Sequence, residues 1–202
     1  VTLLGGGANI LIADSGVRGL TIRLSGDFCK VAPEEKETIR AGAGARIVDL
    51  AKAFQAENRT GMEWSIGIPG TIGGAVFMNA GIPEGCMADV VETVEAVAST
   101  GEIHTLTRAE AKFGYRTSRF QTSGEIVASA VVRLGQGPWK KAWAKELTEY
   151  RTTRQPYREP NFGSVFRNPE GDHAARLIEA AGLKGFRIGN AAISALHANF
   201  IV

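Results

Sequence analysis

The sequence predicts an α+β protein, on three observations. Runs rich in β-formers fall at 20–24, 90–97 and 125–134. Apolar residues recur at helical spacing at Ile47, Leu50, Ala51 and Phe54, and again at Trp139, Trp143, Leu147 and Tyr150. A break at Gly135–Pro138 separates a larger, glycine-rich part from a smaller one of different pattern.

"VTLLGGGANILIAD" opens on a strand, Thr2–Leu4, passes through a glycine turn, Gly5–Gly7, and continues in a short apolar segment, Ile10–Ala13. "VRGLTIRL" alternates through Leu20, Ile22 and Leu24 and reads as a second strand. The helix begun at Ile47 ends near Asn58–Gly61. Residues 64–81 are apolar but too broken by glycine for a long helix. Strands at 90–97 and 125–134 flank Thr107–Glu110, a capping-box pattern that predicts a short helix. Beyond the break, residues 139–153 predict an amphipathic helix with Arg151 and Arg154 at its C-terminal end, where cations suit the dipole. A helix at 173–181, with Asp172 as cap and Gly182 as stop, and strands near Phe186–Ile188 and Ala198–Val202 complete a small α+β unit. Both ends fall inside apolar runs, so a chain cut at each end is the expectation.

Bulk properties narrow the function. The 202 residues are 44% hydrophobic and 22% charged, with a net charge of +2 and basic residues scattered singly, which gives no electrostatic case for nucleic acid or an anionic membrane. No apolar run approaches the length needed to span a bilayer, and no stretch of these 202 residues resembles a signal peptide. Cys29 and Cys86 stand alone and read as buried thiols of a reducing compartment, so a cytoplasmic location is expected. The 25 glycines are nearly double the usual share of about 7%.

Two glycine-rich stretches, 3–14 and 65–81, carry no lysine and fit neither a Walker A loop nor G-x-G-x-x-G, because Ile10 stands where the last glycine belongs. Each fits a tight turn or a nest of backbone N–H groups around a pyrophosphate. Two in one domain, each followed by an asparagine (Asn9, Asn79), bring a dinucleotide gripped from both sides level with the turn reading. Tyr115–Arg116 and the pair Arg151 and Arg154 fit surface or helix-end cations as well as anion contacts. Ser164, in "FGSVFRNPEG", is a turn serine or a proton donor; no G-x-S-x-G elbow surrounds it and His104, His173 and His197 have no set relation to it. No cluster has metal-ligand spacing, and the aromatics do not form a base-stacking platform.

The stretches "LGGGANILIAD", "GIPGTIGGAVFMNAG", "YRTSRF", "RTTRQP", "GSVFRNP", "AARLIEAAGLKG" and "HANFIV", in this order, resemble the UDP-N-acetylenolpyruvoylglucosamine reductases (UDP-N-acetylmuramate dehydrogenases) of peptidoglycan synthesis. The resemblance implies FAD-binding subdomains of the vanillyl-alcohol-oxidase type and a small α+β substrate-binding domain. It divides the chain into 1–18, a remnant of the first FAD subdomain, 19–136, the second, and 137–202, the substrate domain without its C-terminal return. It implies FAD contacts from Gly5, Gly6, Gly7, Ala8, Asn9 and Ile10, and from Ile68, Pro69, Gly70, Thr71, Gly73, Gly74, Ala75 and Asn79. Arg116, Val127 and Arg151 complete that set. NADPH would reduce the flavin and leave; a UDP-sugar carrying an enolpyruvyl ether would then take hydride from flavin N5 at C3 and a proton at C2.

By the same resemblance Arg116 holds and stabilises the enolate and Ser164 donates the proton. Tyr115, Arg154 and Asn168 touch the substrate, Arg154 standing where the family has a lysine. The short interval from Arg116 to Ser164 resembles the subclass lacking an extra substrate-covering loop. The resemblance implies that the family's further glutamate would fall beyond Val202; Leu196 stands where the family often has a basic residue, and Asn161 and Phe162 are unusual before "GSVF". A monomer without nucleic acid or membrane partners is expected. The alternative reading is a non-catalytic nucleotide-binding fragment of this family; a related oxidase with covalent flavin would need a histidine or cysteine that the first glycine loop lacks.

Overall fold

The computed structural model describes residues 1–202. Strand β1 (Thr2–Leu3) pairs in parallel with β2 (Thr21–Ile22). The second predicted strand shrinks to these two residues, because Leu20 is exposed and the pair has no apolar layer that would reward the alternation. Next come β3 (Val31–Glu35) and β4 (Thr38–Gly42), then helix α1 (Ile47–Ala56). A short helix α2 (Ile72–Met78) lies within the glycine-rich stretch. The small elements β5 (Gly81–Ile82), β6 (Gly85–Cys86) and α3 (Met87–Val90) lead into β7 (Val91–Val97) and β8 (Ile103–Thr107). Helix α4 (Phe120–Ser123) precedes β9 (Ile126–Arg133), and α5 (Lys141–Arg154), α6 (Ala174–Ala180), β10 (Arg187–Ile188) and β11 (Ala191–Ala192) follow.

The frame that holds the site is a five-stranded antiparallel sheet in the order β3-β4-β9-β7-β8. Its inward residues include Ile39 and Ala41 of β4, Val94 and Ala96 of β7, and Ala130 and Val132 of β9. Against them α1 buries the four residues its spacing predicts, Ile47, Leu50, Ala51 and Phe54. Helix α2 adds Ile72 and Val76, and Met62 and Trp64 close the same core. Pro33 is tolerated in β3 because that strand is an edge.

The break at Gly135–Pro138 is pinned at several points. Gly135 N–H donates to Thr60 O (2.9 Å), Thr60 N–H to Gly137 O (3.0 Å), and Arg59 Nε to Gly135 O (2.8 Å). Trp139 and Trp143 then pack against the sheet's core.

Several local expectations are corrected. The Thr107–Glu110 box forms, with Thr107 N–H donating to Glu110 Oε2 (2.8 Å), but it closes a turn; Lys112 at φ 48° stops a helix from propagating. Tyr150 is exposed, so the α5 stripe runs through Trp143, Leu147 and the buried Arg151. His173, and not Asp172, occupies the N-cap position of α6; Asp172 pairs with Arg176 instead. Residues 198–202 form no strand beyond a bridge from Ile201 to Ile193, the chain there curling into a turn. Cys29 is exposed and Cys86 half-buried, so neither is a core thiol; Cys29 lies outside the apolar layer, its Sγ turned to Leu24 O (3.8 Å).

Candidate active site

Residues 65–81 are the hub of the site. At their start, the turn Gly67–Thr71 lies against the first glycine loop: a Cβ on Gly6 would stand 3.0 Å from the Gly70 Cα, and one on Gly5 would stand 2.7 Å from Thr71 Oγ1. Backbone therefore meets backbone at a separation that a side chain at Gly6 would disturb. The two loops differ in what they offer. None of the N–H groups of residues 5–10 has an acceptor within the chain, and nearly all of these residues are exposed. In the second loop, Ile68, Ile72, Gly73 and Ala75 donate to Ser65, Ala45, Ala43 and Thr71 carbonyls at 2.8–2.9 Å. The first loop thus presents free donors, and the second, bonded at these four positions but with the N–H groups of Gly67, Gly70 and Thr71 also lacking an acceptor within the chain, supplies the shaped wall beside them.

α5 and the chain after it grip the same hub. Tyr157 Oη donates to Gly67 O (2.9 Å) and Arg151 Nη2 to Trp64 O (3.1 Å). Gly67 sits at φ 76°, and a Cβ there would meet Tyr157 Oη at 3.0 Å and Arg151 Cδ at 3.2 Å. Burial pushes Arg151 below the usual arginine value, with Tyr157 partly offsetting it. Upstream, the fully buried Glu63 carboxylate accepts from Gly61 N–H and Lys140 N–H, both at 2.8 Å. Burial pushes its carboxyl up, but the backbone donors of Lys140 and Gly61 outweigh this and hold it below the ordinary range.

The far end of α2 carries the Arg116 loop. Asn79, at φ 43°, caps α2; its Nδ2 donates to Gly114 O (2.9 Å) and its Oδ1 accepts from Ala88 N–H (3.0 Å). Ser118 Oγ and Gln121 Nε2 both donate to Phe77 O, at 2.7 and 3.0 Å. Arg116 itself is held at φ 54°, a left-handed conformation that costs a non-glycine residue about 1–3 kcal/mol. Its Nη2 donates to Gly81 O (2.6 Å), and its carbonyl accepts from Gln121 Nε2 (3.1 Å) and Arg167 Nη2 (3.2 Å). That last bond, with Asn168 N–H donating to Tyr115 Oη (3.3 Å), brings the Ser164 segment beside Arg116.

Ser164 is exposed on a loop that starts at Gly163 (φ 84°). The remaining candidates fall in different places. Asn168 Oδ1 accepts from Ala174 N–H (3.0 Å), capping α6, and its Nδ2 faces His173 Nδ1 (3.3 Å). Arg154 is exposed with its guanidinium over the Tyr150 ring, 4.8 Å from the centroid. Val127 lies in the sheet's core on β9. Glu63, Gln121, Tyr157 and Arg167 escaped the sequence reading, since each acts through backbone bonds to residues 44 to 90 positions away or through a local turn, and no spacing rule marks them.

His197 has a titratable role in the same part of the fold. Its Nδ1 accepts from Asn199 N–H (3.2 Å), which requires the neutral ring. Burial, aided by the Lys184 charge, pushes its pKa below 6.5. The folded state then binds fewer protons than the unfolded one, so stability should fall as the pH drops from 6.5 through the depressed value. Thermal melts across that window should show the loss, and His197→Gln should remove this component of it.

No helix is long and apolar enough to cross a membrane. Compared with known families, residues 1–107 match the FAD binding domain, and residues 155–202 match the C-terminal domain of UDP-N-acetylenolpyruvoylglucosamine reductase. The chain belongs to the UDP-N-acetylenolpyruvoylglucosamine reductase family. The enzyme of that name from Myxococcus xanthus is 46% identical over 207 residues, covering 100% of this chain and 66% of its own length. That of Chlamydia felis is 42% identical, with 99% and 67% covered. The crystal structure of the UDP-N-acetylenolpyruvylglucosamine reductase from Thermus caldophilus superimposes with a TM-score of 0.88 at 39% identity, covering 99% of this chain and 73% of that one. The chain spans about two thirds of the length of the curated relatives it matches. The α+β architecture with an FAD-binding domain accords with these matches.

Proposed function

We propose that the protein is an FAD-dependent reductase that uses NADPH to convert the enolpyruvyl ether of UDP-N-acetylglucosamine to UDP-N-acetylmuramate, in peptidoglycan synthesis. One observation carries the reading: the hub 65–81 joins a loop of free backbone donors at one end to the Arg116–Ser164 pair of loops at the other.

The residues present fit the cofactor. The open N–H groups of residues 5–10 suit a pyrophosphate, and the Gly70–Thr71 wall sets their distance from the rest of the fold. Gly73, Ala75 and Asn79, whose polar atoms are bonded inside the chain, are assigned to shaping this wall. Arg151 and Tyr157 brace Gly67, and Val127 supports the wall from the sheet. FAD held by these residues would supply hydride transfer, from NADPH to the terminal enolpyruvyl carbon, C3.

The chain's own residues supply what the substrate needs next. Arg116 changes partner from Gly81 O to the enolpyruvyl carboxylate, whose charge grows as C2 becomes enolate-like. A guanidinium forks onto both carboxylate oxygens, and its backbone is already fixed by Gln121 and Arg167. Ser164 donates its hydroxyl proton to C2, completing the lactyl ether, and regains a proton from solvent. A hydroxyl is a weak acid, but an enolate carbon is a strong base once water is excluded. Tyr115, Arg154 and Asn168 lie around the UDP-sugar, with Arg154 on the phosphates. We assign the divisions at 18 and 136 to the same scheme, with residues 137–202 as the substrate side and the protein as a cytoplasmic monomer.

The test is anaerobic and has two steps. NADPH should bleach the bound flavin, and the enolpyruvyl UDP-sugar should restore its colour with formation of UDP-N-acetylmuramate. A protein that binds no FAD, or whose bleached flavin the sugar nucleotide leaves unchanged, contradicts the reading.

A further inference from the structure

The stretch His197–Phe200 has no part in the chemistry above, yet Ser194, Ala198, Asn199 and Phe200 are all buried while residues 163–171 are mostly exposed. The turn holds itself. Ser194 Oγ accepts from Leu196 N–H (3.1 Å) and His197 N–H (3.4 Å), and Ser194 N–H donates to Phe200 O (2.8 Å). The His197 ring meets the Phe200 ring edge-on, 4.8 Å between centroids.

From this fixed turn Asn199 reaches the two residues that follow Ser164. Its carbonyl accepts from Val165 N–H, its Oδ1 accepts from Phe166 N–H, and its Nδ2 donates to Phe166 O, each at 2.9 Å. Only a side-chain amide offers a donor and an acceptor at the spacing of one residue's N–H and C=O. On the other side of the serine, Asn161 Oδ1 accepts from Gly163 N–H (3.0 Å), and its Nδ2 donates to the carbonyls of Pro156 (3.0 Å) and Glu159 (2.8 Å). Ser164 therefore sits between two asparagine-held anchors on an otherwise exposed loop.

We propose that Asn199 is a positioning residue for the proton-transfer step, fixing the Ser164 hydroxyl relative to the substrate carbon. The proposal rests on the function assigned to Ser164 above. Proton transfer needs a heavy-atom reach of about 2.6–3.2 Å. A displacement near 1 Å costs on the order of 10²-fold in rate. Asn199→Asp keeps the size and the acceptor and loses the donor to Phe166 O; Asn199→Ala loses both side-chain bonds.

In anaerobic double-mixing experiments on the intact protein, both variants should leave flavin bleaching by NADPH at the wild-type rate. Re-oxidation by the enolpyruvyl UDP-sugar should slow, by about 10-fold for Asn199→Asp and about 100-fold for Asn199→Ala, with KM for the sugar nucleotide little changed. In a Ser164→Ala background the same substitutions should slow it no further, because the group they position is gone. Without flavin, hydrogen exchange at 164–168 should rise in both variants while exchange at 65–81 stays unchanged. Effects that multiply with Ser164→Ala, equal losses in both half-reactions, or unchanged exchange at 164–168 would each overturn the role of Asn199. If Asn199→Ala does not fold, Asn199→Asp decides by the same readouts. A wild-type flavin that NADPH bleaches and the sugar nucleotide does not re-oxidise overturns the assigned function instead, and the proposal with it.

Discussion

Ser164→Ala should leave bleaching of the flavin by NADPH intact and slow its re-oxidation by the enolpyruvyl UDP-sugar by roughly 10²–10⁴-fold, the range for loss of a positioned general acid. The split follows from the geometry. Ser164 lies on the loop anchored by Asn199 and Asn161, and that loop reaches the Arg116 segment through Arg167 and Asn168. None of these bonds involves the first glycine loop, so FAD affinity should be unchanged. Rapid-mixing absorbance of each half-reaction measures the separation. A Ser164→Ala protein that re-oxidises at the wild-type rate would remove the serine from the reaction. Arg116→Ala should also act on the second half-reaction, through loss of charge at the enolate.

Glu63→Ala should be strongly destabilising. The carboxylate accepts from Gly61 and Lys140 N–H in a fully buried setting, and alanine leaves both donors without partners. Each stranded donor costs about 1–3 kcal/mol, so a loss near 3 kcal/mol is expected. For a domain of this size that lowers the melting temperature by roughly 6–12 °C. Because its folded pKa is held below the ordinary value, Glu63 contributes stability above that value, and the contribution fades as the pH falls through the folded pKa. Glu63→Gln should remove this acid-side dependence while retaining part of the stability. Melts of the three proteins between neutral and acidic pH measure both effects; equal melting temperatures would show that the bonds are replaced by water.

The helix α1 was legible because its four core residues follow the 3.6 period without interruption, and β7 and β9 because they are long and rich in β-branched residues. The hairpin β3–β4 was obscured by Pro33 and the charged Glu34 and Glu35, which suit an edge strand and break the alternation. At residues 64–81 the glycines hid α2, which is held by the capping Thr71 and Asn79 and by core contacts, and not by propensity. Of the site, the two glycine loops could be seen in the sequence, but not that they touch. Arg116 and Ser164 are candidates through resemblance alone, since isolated polar residues carry no periodic signal. Their supports, Gln121, Arg167 and Asn199, engage backbone atoms, and a sequence does not display which peptide group a side chain will meet. Asn168 shows the converse, a predicted ligand whose side chain is already engaged in capping α6.

The central claim is that the first glycine loop, held against Gly70–Thr71, binds the diphosphate of FAD. It is tested most directly by titrating FAD against the wild-type protein and Gly6→Val, following flavin fluorescence, with melts of both proteins in the absence of flavin. A valine at Gly6 would press on the Gly70 Cα, 3.0 Å from where its Cβ must stand, and move the donor loop without entering the core. The predicted result is saturable binding of one FAD by the wild type and at least tenfold weaker binding by Gly6→Val (about 1.4 kcal/mol), with flavin-free melting temperatures unchanged. Equal affinities for the two proteins, or no binding by the wild type, would contradict the account.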